Sequence, residues 1–174
     1  MDNVVGIGQW DGIYVEPIEH LWKHCIENHK SHRGITSLMA TVGEHDGDVI
    51  VMWRNPAYDF LYSGNEEFAK ANDATQAINN NFVAISLDSL LELYKVEIAF
   101  DLLVIDVEGM EVQVLKGFNC LRWQPKMVII ETHELNPGLA IVDNVRFINS
   151  YFAGHNYMKI YTSAINTIYV WRGS

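Results

Sequence analysis

Asp106 and Glu108 stand two residues apart at the end of an apolar run, Phe100 to Val107. Glu131 and His133 repeat that spacing after a second run, Met127 to Ile130. Residues two apart on a strand point to the same side. If the two runs are neighbouring strands, four ionisable groups converge at one sheet edge. Two chemistries use such a set. One is general base catalysis, with His133 or a carboxylate taking a proton from a substrate hydroxyl. The other is a divalent metal held by oxygens and one imidazole. The structural alternative is that Asp106 caps the next helix and Glu131 pairs with a cation.

Glu16 is a further candidate. It ends the segment Gly12 to Glu16, just before Pro17. An acid at the end of a strand in a βα unit accepts hydrogen bonds from ribose hydroxyls; otherwise it is a surface acid beside a turn proline. His20 and His24 have the i, i+4 spacing of metal ligands, but they lie opposite the apolar stripe of their helix and read as a solvated face. His29 and His32, in a polar helix exit, read the same way. Trp10, Trp22, Trp53 and Trp123 read as packing residues. Gly6-Ile7-Gly8 is a fragment of a phosphate loop without the strand before and helix after that such a loop needs.

These groups need a frame. Gly12 to Glu16 reads as a strand. Ile18, Leu21, Trp22, Cys25 and Ile26 then recur at helical spacing, and the polar run His29 to Arg33 with Gly34 ends the helix. Ile35 to Val42 and Val49 to Trp53 read as a hairpin about the turn Gly43 to Asp48. Residues 54–81 are polar with no strong period, a long excursion expected to lie over the site. Its aromatics Tyr58, Phe60 and Tyr62 suit stacking on a sugar or ordinary packing. Phe82 to Leu87 is a strand, and Asp88 caps a helix from Ser89 to Tyr94. The runs 100–107 and 127–130 have the composition of strands buried on both faces. Helices follow at Glu111 to Phe118 and Val142 to Phe152. Tyr157 to Tyr161 and Thr167 to Trp171 are too close for a crossover and must be antiparallel. The alternation predicts an α/β sheet, mainly parallel, with an antiparallel C-terminal hairpin.

The chain has 174 residues, the length of one domain, here taken as 1–174. At 49% hydrophobic and 20% charged residues it can build a packed core. With 12 basic and 22 acidic residues its net charge is -10, and no basic run occurs. Such a surface repels phosphate backbones and anionic lipid, so neither a nucleic acid nor a membrane is the expected partner. No stretch of about 18 apolar residues is present, and the first residues carry no secretion signal. Two cysteines, Cys25 and Cys120, form no CxxC pair and read as reduced thiols of a cytoplasmic protein.

Gly12-Ile-Tyr-Val-Glu-Pro17 and Ile105-Asp-Val-Glu-Gly109, with Glu111, Val114, Leu115, Lys116 and Gly117, resemble the FkbM family of S-adenosylmethionine-dependent methyltransferases. Gln9-Trp10-Asp11-Gly12, Ile85-Ser-Leu-Asp88-Ser-Leu and Met127-Val-Ile-Ile-Glu131 are similar to further family segments. The resemblance implies a Rossmann-like methyltransferase sheet and O-methylation of a hydroxyl on a sugar or other small molecule. It implies S-adenosylmethionine as cofactor, with Glu16 and Pro17 at its ribose and the turn of Val42, Gly43 and Asp46 near its adenine. Asp106 and Glu108 would face the cofactor or the substrate; together with His133, singled out above as a candidate base, they are the expected catalytic residues, with no metal.

The family's opening strand, glycine-rich loop and helix have no counterpart before Trp10. Val4 to Gly8 cannot be a parallel neighbour of the 12–16 strand, because a parallel crossover needs roughly a dozen residues or more and only Gln9, Trp10 and Asp11 intervene. They read as the tail of a helix. The sheet is therefore expected to lack its first βα unit. The flanking strands would then pair directly, or a second chain would cover their edges, as in a homodimer. The alternative function is a non-catalytic α/β interaction module that keeps the fold. A metal-dependent hydrolase built on Asp106, Glu108, Glu131 and His133 is a third reading.

Overall fold

A computed structural model describes residues 10–58, 61–78, 82–136 and 141–173. The readings made of Val4 to Gly8 and of Phe60 lie outside the described residues. Strand β1 (Gly12–Val15) runs parallel to β2 (Ile35–Leu38), with Gly12 opposite Ile35 and Val15 opposite Leu38. Helix α1 (Glu19–His29) joins them. Its apolar stripe faces β2: Trp22 Nε1 donates to the Ser37 carbonyl at 3.2 Å, and Cys25 Sγ lies 3.6 Å from Ser37 Oγ.

The middle of the chain departs from the expected hairpin. It contains β3 (Thr41–Gly43), β4 (Val49–Ile50), β5 (Trp53–Arg54), β6 (Tyr62–Ser63), α2 (Glu66–Ala71), β7 (Gln76–Ala77) and β8 (Phe82–Ser86). β3 and β4 do not pair with each other. Both pair with β8, β3 in parallel and β4 antiparallel. The turn between them wraps that strand: Gly47 N donates to the Ala84 carbonyl at 2.9 Å, and Ala84 N donates to the Asp48 carbonyl at 2.8 Å. The excursion 54–81 is also structured. β5 is the middle of a three-stranded antiparallel sheet, with β6 on one side and β7 on the other. Asn65 starts α2 by accepting from Glu67 N and Phe68 N at 3.0 and 3.1 Å, a short polar cap of the usual kind.

The second half contains α3 (Leu87–Leu93), β9 (Leu102–Ile105), α4 (Glu111–Lys116), α5 (Cys120–Trp123), β10 (Met127–Glu131), α6 (Val142–Gly154), β11 (Tyr157–Thr162) and β12 (Asn166–Trp171). Ser86, not Asp88, caps α3, its Oγ accepting from Ser89 N at 3.2 Å. The Asp88 carboxylate instead accepts from Asn119 N at 2.7 Å and Trp123 Nε1 at 2.9 Å, tying α3 to α5. The largest sheet has the order β11-β12-β10-β9. Its β9–β10 pair is parallel and its C-terminal hairpin antiparallel, as expected. Across the described strands, however, the β1–β2, β3–β8 and β9–β10 pairs are parallel and the other pairs antiparallel. The sheets are mixed rather than mainly parallel. β1 and β9 do not pair with each other among the described residues.

One face of the large sheet, bearing Ile105, Val128, Ile130 and Tyr169, builds the core with Leu115, Phe118, Ile148 and Phe152. The other face does not meet the expectation of burial on both sides. Leu102 and Met127 are cross-strand partners and both are exposed, and Val104 is 57% exposed. The apolar composition of β9 thus reports one buried face and one open face. Gly117 joins the halves of the molecule: a Cβ there would stand 2.4 Å from the Gly43 carbonyl oxygen, so only glycine lets α4 approach β3 this closely.

Candidate functional site

β9 ends at Ile105, so Asp106 and Glu108 lie in a turn beyond the strand. Glu108 (φ +52°) and Gly109 (φ +93°) are left-handed. A Cβ on Gly109 would meet Phe68 at 2.6 Å, so the turn needs glycine for both conformation and space. Three side chains hold it. Glu111 Oε1 accepts from Val107 N at 3.3 Å and Gly109 N at 3.1 Å. Ser63 Oγ donates to the Glu108 carbonyl at 2.5 Å, and Asn65 Nδ2 donates to the Gly109 carbonyl at 2.9 Å. Asp106 is exposed and does not cap α4, whose N-cap position is Met110 with no side-chain bond.

The second turn follows β10. Glu131 is its last residue, and His133 follows with φ +50°. Thr132 N and His133 N both donate to the Ile165 carbonyl, at 2.8 and 2.9 Å, which fixes this turn against the C-terminal hairpin. Glu131 Oε1 lies 2.7 Å from His133 Nε2, with both side chains nearly buried. Their other polar atoms, Glu131 Oε2 and His133 Nδ1, are buried without a partner among the described residues. The Phe68 ring lies 6.3 Å from the imidazole, tilted by 29°. A cavity of about 20 Å³ opens between Phe68, Gly109, Glu111, Glu131 and His133, enough for one water molecule and nothing larger.

Electrostatics binds the two turns into one site. Burial pushes the Glu108 carboxyl up to about 7, helped by the charges of Asp106 and Glu111. Burial also raises Glu131 well above the carboxylate range, with Asp106, Glu108 and Glu111 adding to it. Glu111 is raised by burial against the opposing effect of its backbone hydrogen bonds. The expected quartet of Asp106, Glu108, Glu131 and His133 is therefore brought together, with Glu111 as a fifth member. Spacing read as strand periodicity did not reveal Glu111. The signal available was an acid in the first helical turn after a glycine-containing turn, where it can cap free amides.

Glu16 directly precedes Pro17 and Ile18, which line a separate, larger cavity, but is not itself among the lining residues. Its Oε1 accepts from Ile18 N at 2.8 Å. Burial raises its carboxyl, and that bond and His20 oppose the rise. Pro17 and Ile18 line a cavity of about 780 Å³, with Met39, Phe82 and Val83 as further apolar wall and Arg54, Tyr62 and Gln76 as polar wall. β6 links the two regions, since Tyr62 lines the cavity and Ser63 holds Glu108. Val42, Gly43 and Asp46 are not among the cavity's lining residues. Gly43 packs on Ala84 and Gly117. Asp46 accepts from Ser86 N and Ser89 Oγ, both at 2.6 Å, and these bonds hold its carboxyl below the usual range. His20 and His24 are 6.3 Å apart, ring to ring. No group of three His, Cys, Asp or Glu among the described residues is arranged to hold a metal ion.

The comparisons with known proteins bear on this arrangement. A family model described as the methyltransferase FkbM domain matches residues 3–158. Among solved structures, the crystal structure of methyltransferase FkbM from Methylobacillus flagellatus KT is similar, with a TM-score of 0.52 and 14% sequence identity. The likeness covers 92% of this chain and 36% of that one, so the chain spans about a third of that protein's length. At that identity it establishes a shared α/β fold. No curated protein matches. With a family model matched over most of its length and a fold to agree, this chain belongs to the methyltransferase FkbM domain family.

Proposed function

We propose that the chain is an S-adenosylmethionine-dependent O-methyltransferase domain acting on a hydroxyl of a sugar or other small molecule. The observation that carries the reading is the juxtaposition across β6 of a nucleoside-sized cavity and a cluster of raised carboxylates. Pockets of roughly 300–1,000 Å³ with apolar walls and a few polar groups are the usual form of small-molecule sites. Two parallel pairs support a Rossmann-like arrangement: β1–β2 joined through α1, and β9–β10 joined through α4 and α5.

The residues present fit the cofactor. Glu16 would take the ribose hydroxyls, and Pro17, Ile18 and Met39 would supply apolar contact for a purine. When bound, S-adenosylmethionine supplies an electrophilic methyl group. Glu108, raised to about 7, is matched to accept a hydroxyl proton near neutral pH. His133 Nδ1, with Nε2 turned to Glu131, would take that proton through the single water its cavity admits. Holding the acceptor oxygen in line contributes much of the rate in such a transfer.

The same reading takes the partner to be a small hydroxyl compound rather than nucleic acid or membrane, in keeping with a net charge of -10. No helix of the described residues is long and apolar enough to cross a membrane. Two free thiols support a cytoplasmic setting, and the open face at Leu102 and Val104 supports a homodimer. That open face also favours a second reading, a non-catalytic interaction module. Calorimetric titration with S-adenosylhomocysteine separates the two. Micromolar binding that is lost in Glu16→Ala upholds the methyltransferase; no binding up to millimolar ligand by the folded chain overturns it in favour of the module.

A further inference from the structure

The acid turns account for the proton, and Glu16, Pro17, Ile18 and Met39 for the cofactor, which leaves one wall of the 780 Å³ cavity without a task. That wall is a row across three strands. In the register of β6, β5 and β7, Arg54 stands opposite Tyr62 on one side and Gln76 on the other. Directly opposed residues share a sheet face, and all three line the cavity. Arg54 Nε donates to Gln76 Oε1 at 2.8 Å, which orients the guanidinium. Among the described residues, no oxygen accepts from its two terminal nitrogens and no carboxylate lies within ion-pair distance. An arginine fork oriented through its Nε matches a carboxylate or phosphate in bidentate geometry through its terminal nitrogens.

The surroundings set the rest of the ligand. Val83, 58% exposed, adds apolar surface to the same cavity. Next to Tyr62, Ser63 holds the Glu108 turn. An acceptor with its charged end at Arg54 has its hydroxyl on the side of the Glu108 turn, which Ser63 of the strand paired with Arg54's strand holds.

We propose that Arg54, flanked by Tyr62 and Gln76, is the specificity-determining residue of the acceptor site, holding a carboxylate or phosphate group of an acidic small-molecule acceptor. The role as acceptor site rests on the methyltransferase reading; the anion site itself does not. The test is a titration of the ¹⁵N-labelled chain with glucuronate, glucose 6-phosphate and neutral glucose at constant ionic strength, following the Arg54 Nε–Hε resonance. A saturable shift with either anion and none with glucose is expected; read on the backbone amides of the register neighbours Tyr62 and Gln76, it should be abolished in Arg54→Gln and weakened several-fold in Arg54→Lys. Response to glucuronate alone assigns a carboxylate, and to glucose 6-phosphate alone a phosphate. A shift no larger than that caused by sodium chloride overturns the proposal, and the wild-type titration decides this even if a variant fails to fold. A shift caused by S-adenosylhomocysteine but not by 5′-methylthioadenosine also overturns it, because Arg54 would then hold the cofactor's own carboxylate. Failure of the methyltransferase reading looks different: no S-adenosylhomocysteine binding by calorimetry, with the anion response intact.

Discussion

Glu131 Oε1 and His133 Nε2 meet at 2.7 Å although only Glu131 belongs to β10. The left-handed backbone of His133 turns its ring back onto the strand end. The Glu108–Gly109 turn does the same for the neighbouring strand. Each two-residue spacing therefore works through a turn, and the turns are fixed from outside: one by Ile165, the other by Ser63, Asn65 and Glu111.

Stability should fall as pH rises through neutrality. The carboxyls of Glu108, Glu111 and Glu131 are all raised in the folded protein. Between the ordinary carboxylate value and the raised one, the folded state binds more protons than the unfolded state. Unfolding free energy then decreases with pH across that window. For Glu108 the window runs from about 4.5 to about 7. Its partial exposure limits its contribution to on the order of 1–2 kcal/mol. Thermal unfolding should give a higher Tm near pH 5.5 than near pH 8, and Glu108→Gln should flatten that slope. An unchanged slope in the variant counts against the assignment.

Glu111 is expected to be structural in its effect and specific in its chemistry. Glu111→Ala leaves the Val107 and Gly109 amides without their acceptor, a cost of roughly 1–3 kcal/mol for buried groups. Glu111→Gln keeps an acceptor oxygen and removes the charge, so it should retain most of the stability. Urea unfolding of both variants measures the difference, and equal losses would contradict the role.

Gly109→Ala should destabilise by about 1–3 kcal/mol through its left-handed backbone alone. The Phe68 contact adds a steric part. Trimming Phe68 to alanine in the same chain should recover the steric part only, which makes the two substitutions non-additive. A strictly additive double-mutant cycle would show that the contact is not the cause.

The two faces of the large sheet should respond differently. Val104→Thr, on the open face, should change stability by less than about 0.5 kcal/mol. Ile130→Ala, at 0% exposure, should cost roughly 2–5 kcal/mol. Light scattering of Val104→Lys tests the same face in association: a dimer formed there should dissociate, while a dimer that survives the substitution must use another surface.

Much of the frame and part of the site follow from local pattern. β1, α1, β9, β10, α6 and the C-terminal hairpin stand where apolar periodicity puts them, because each buries a face whose spacing is written over consecutive residues. The acids and His133 could be singled out because they end such elements. What consecutive residues do not carry is pairing between distant segments. β8 takes β3 on one edge and β4 on the other, where adjacent runs had suggested a hairpin. β5, β6 and β7 are two residues each, too short to show any period, and exist through one another and the Asn65 cap. Glu111 gained its role from a left-handed turn, and Arg54 its place between Tyr62 and Gln76 from strand register. Local pattern was enough for the long elements and for the chemical groups that stand at their ends. The tertiary structure decided which of those groups share a site, because strand pairing and positive-φ turns draw their stability from contacts far apart in the chain.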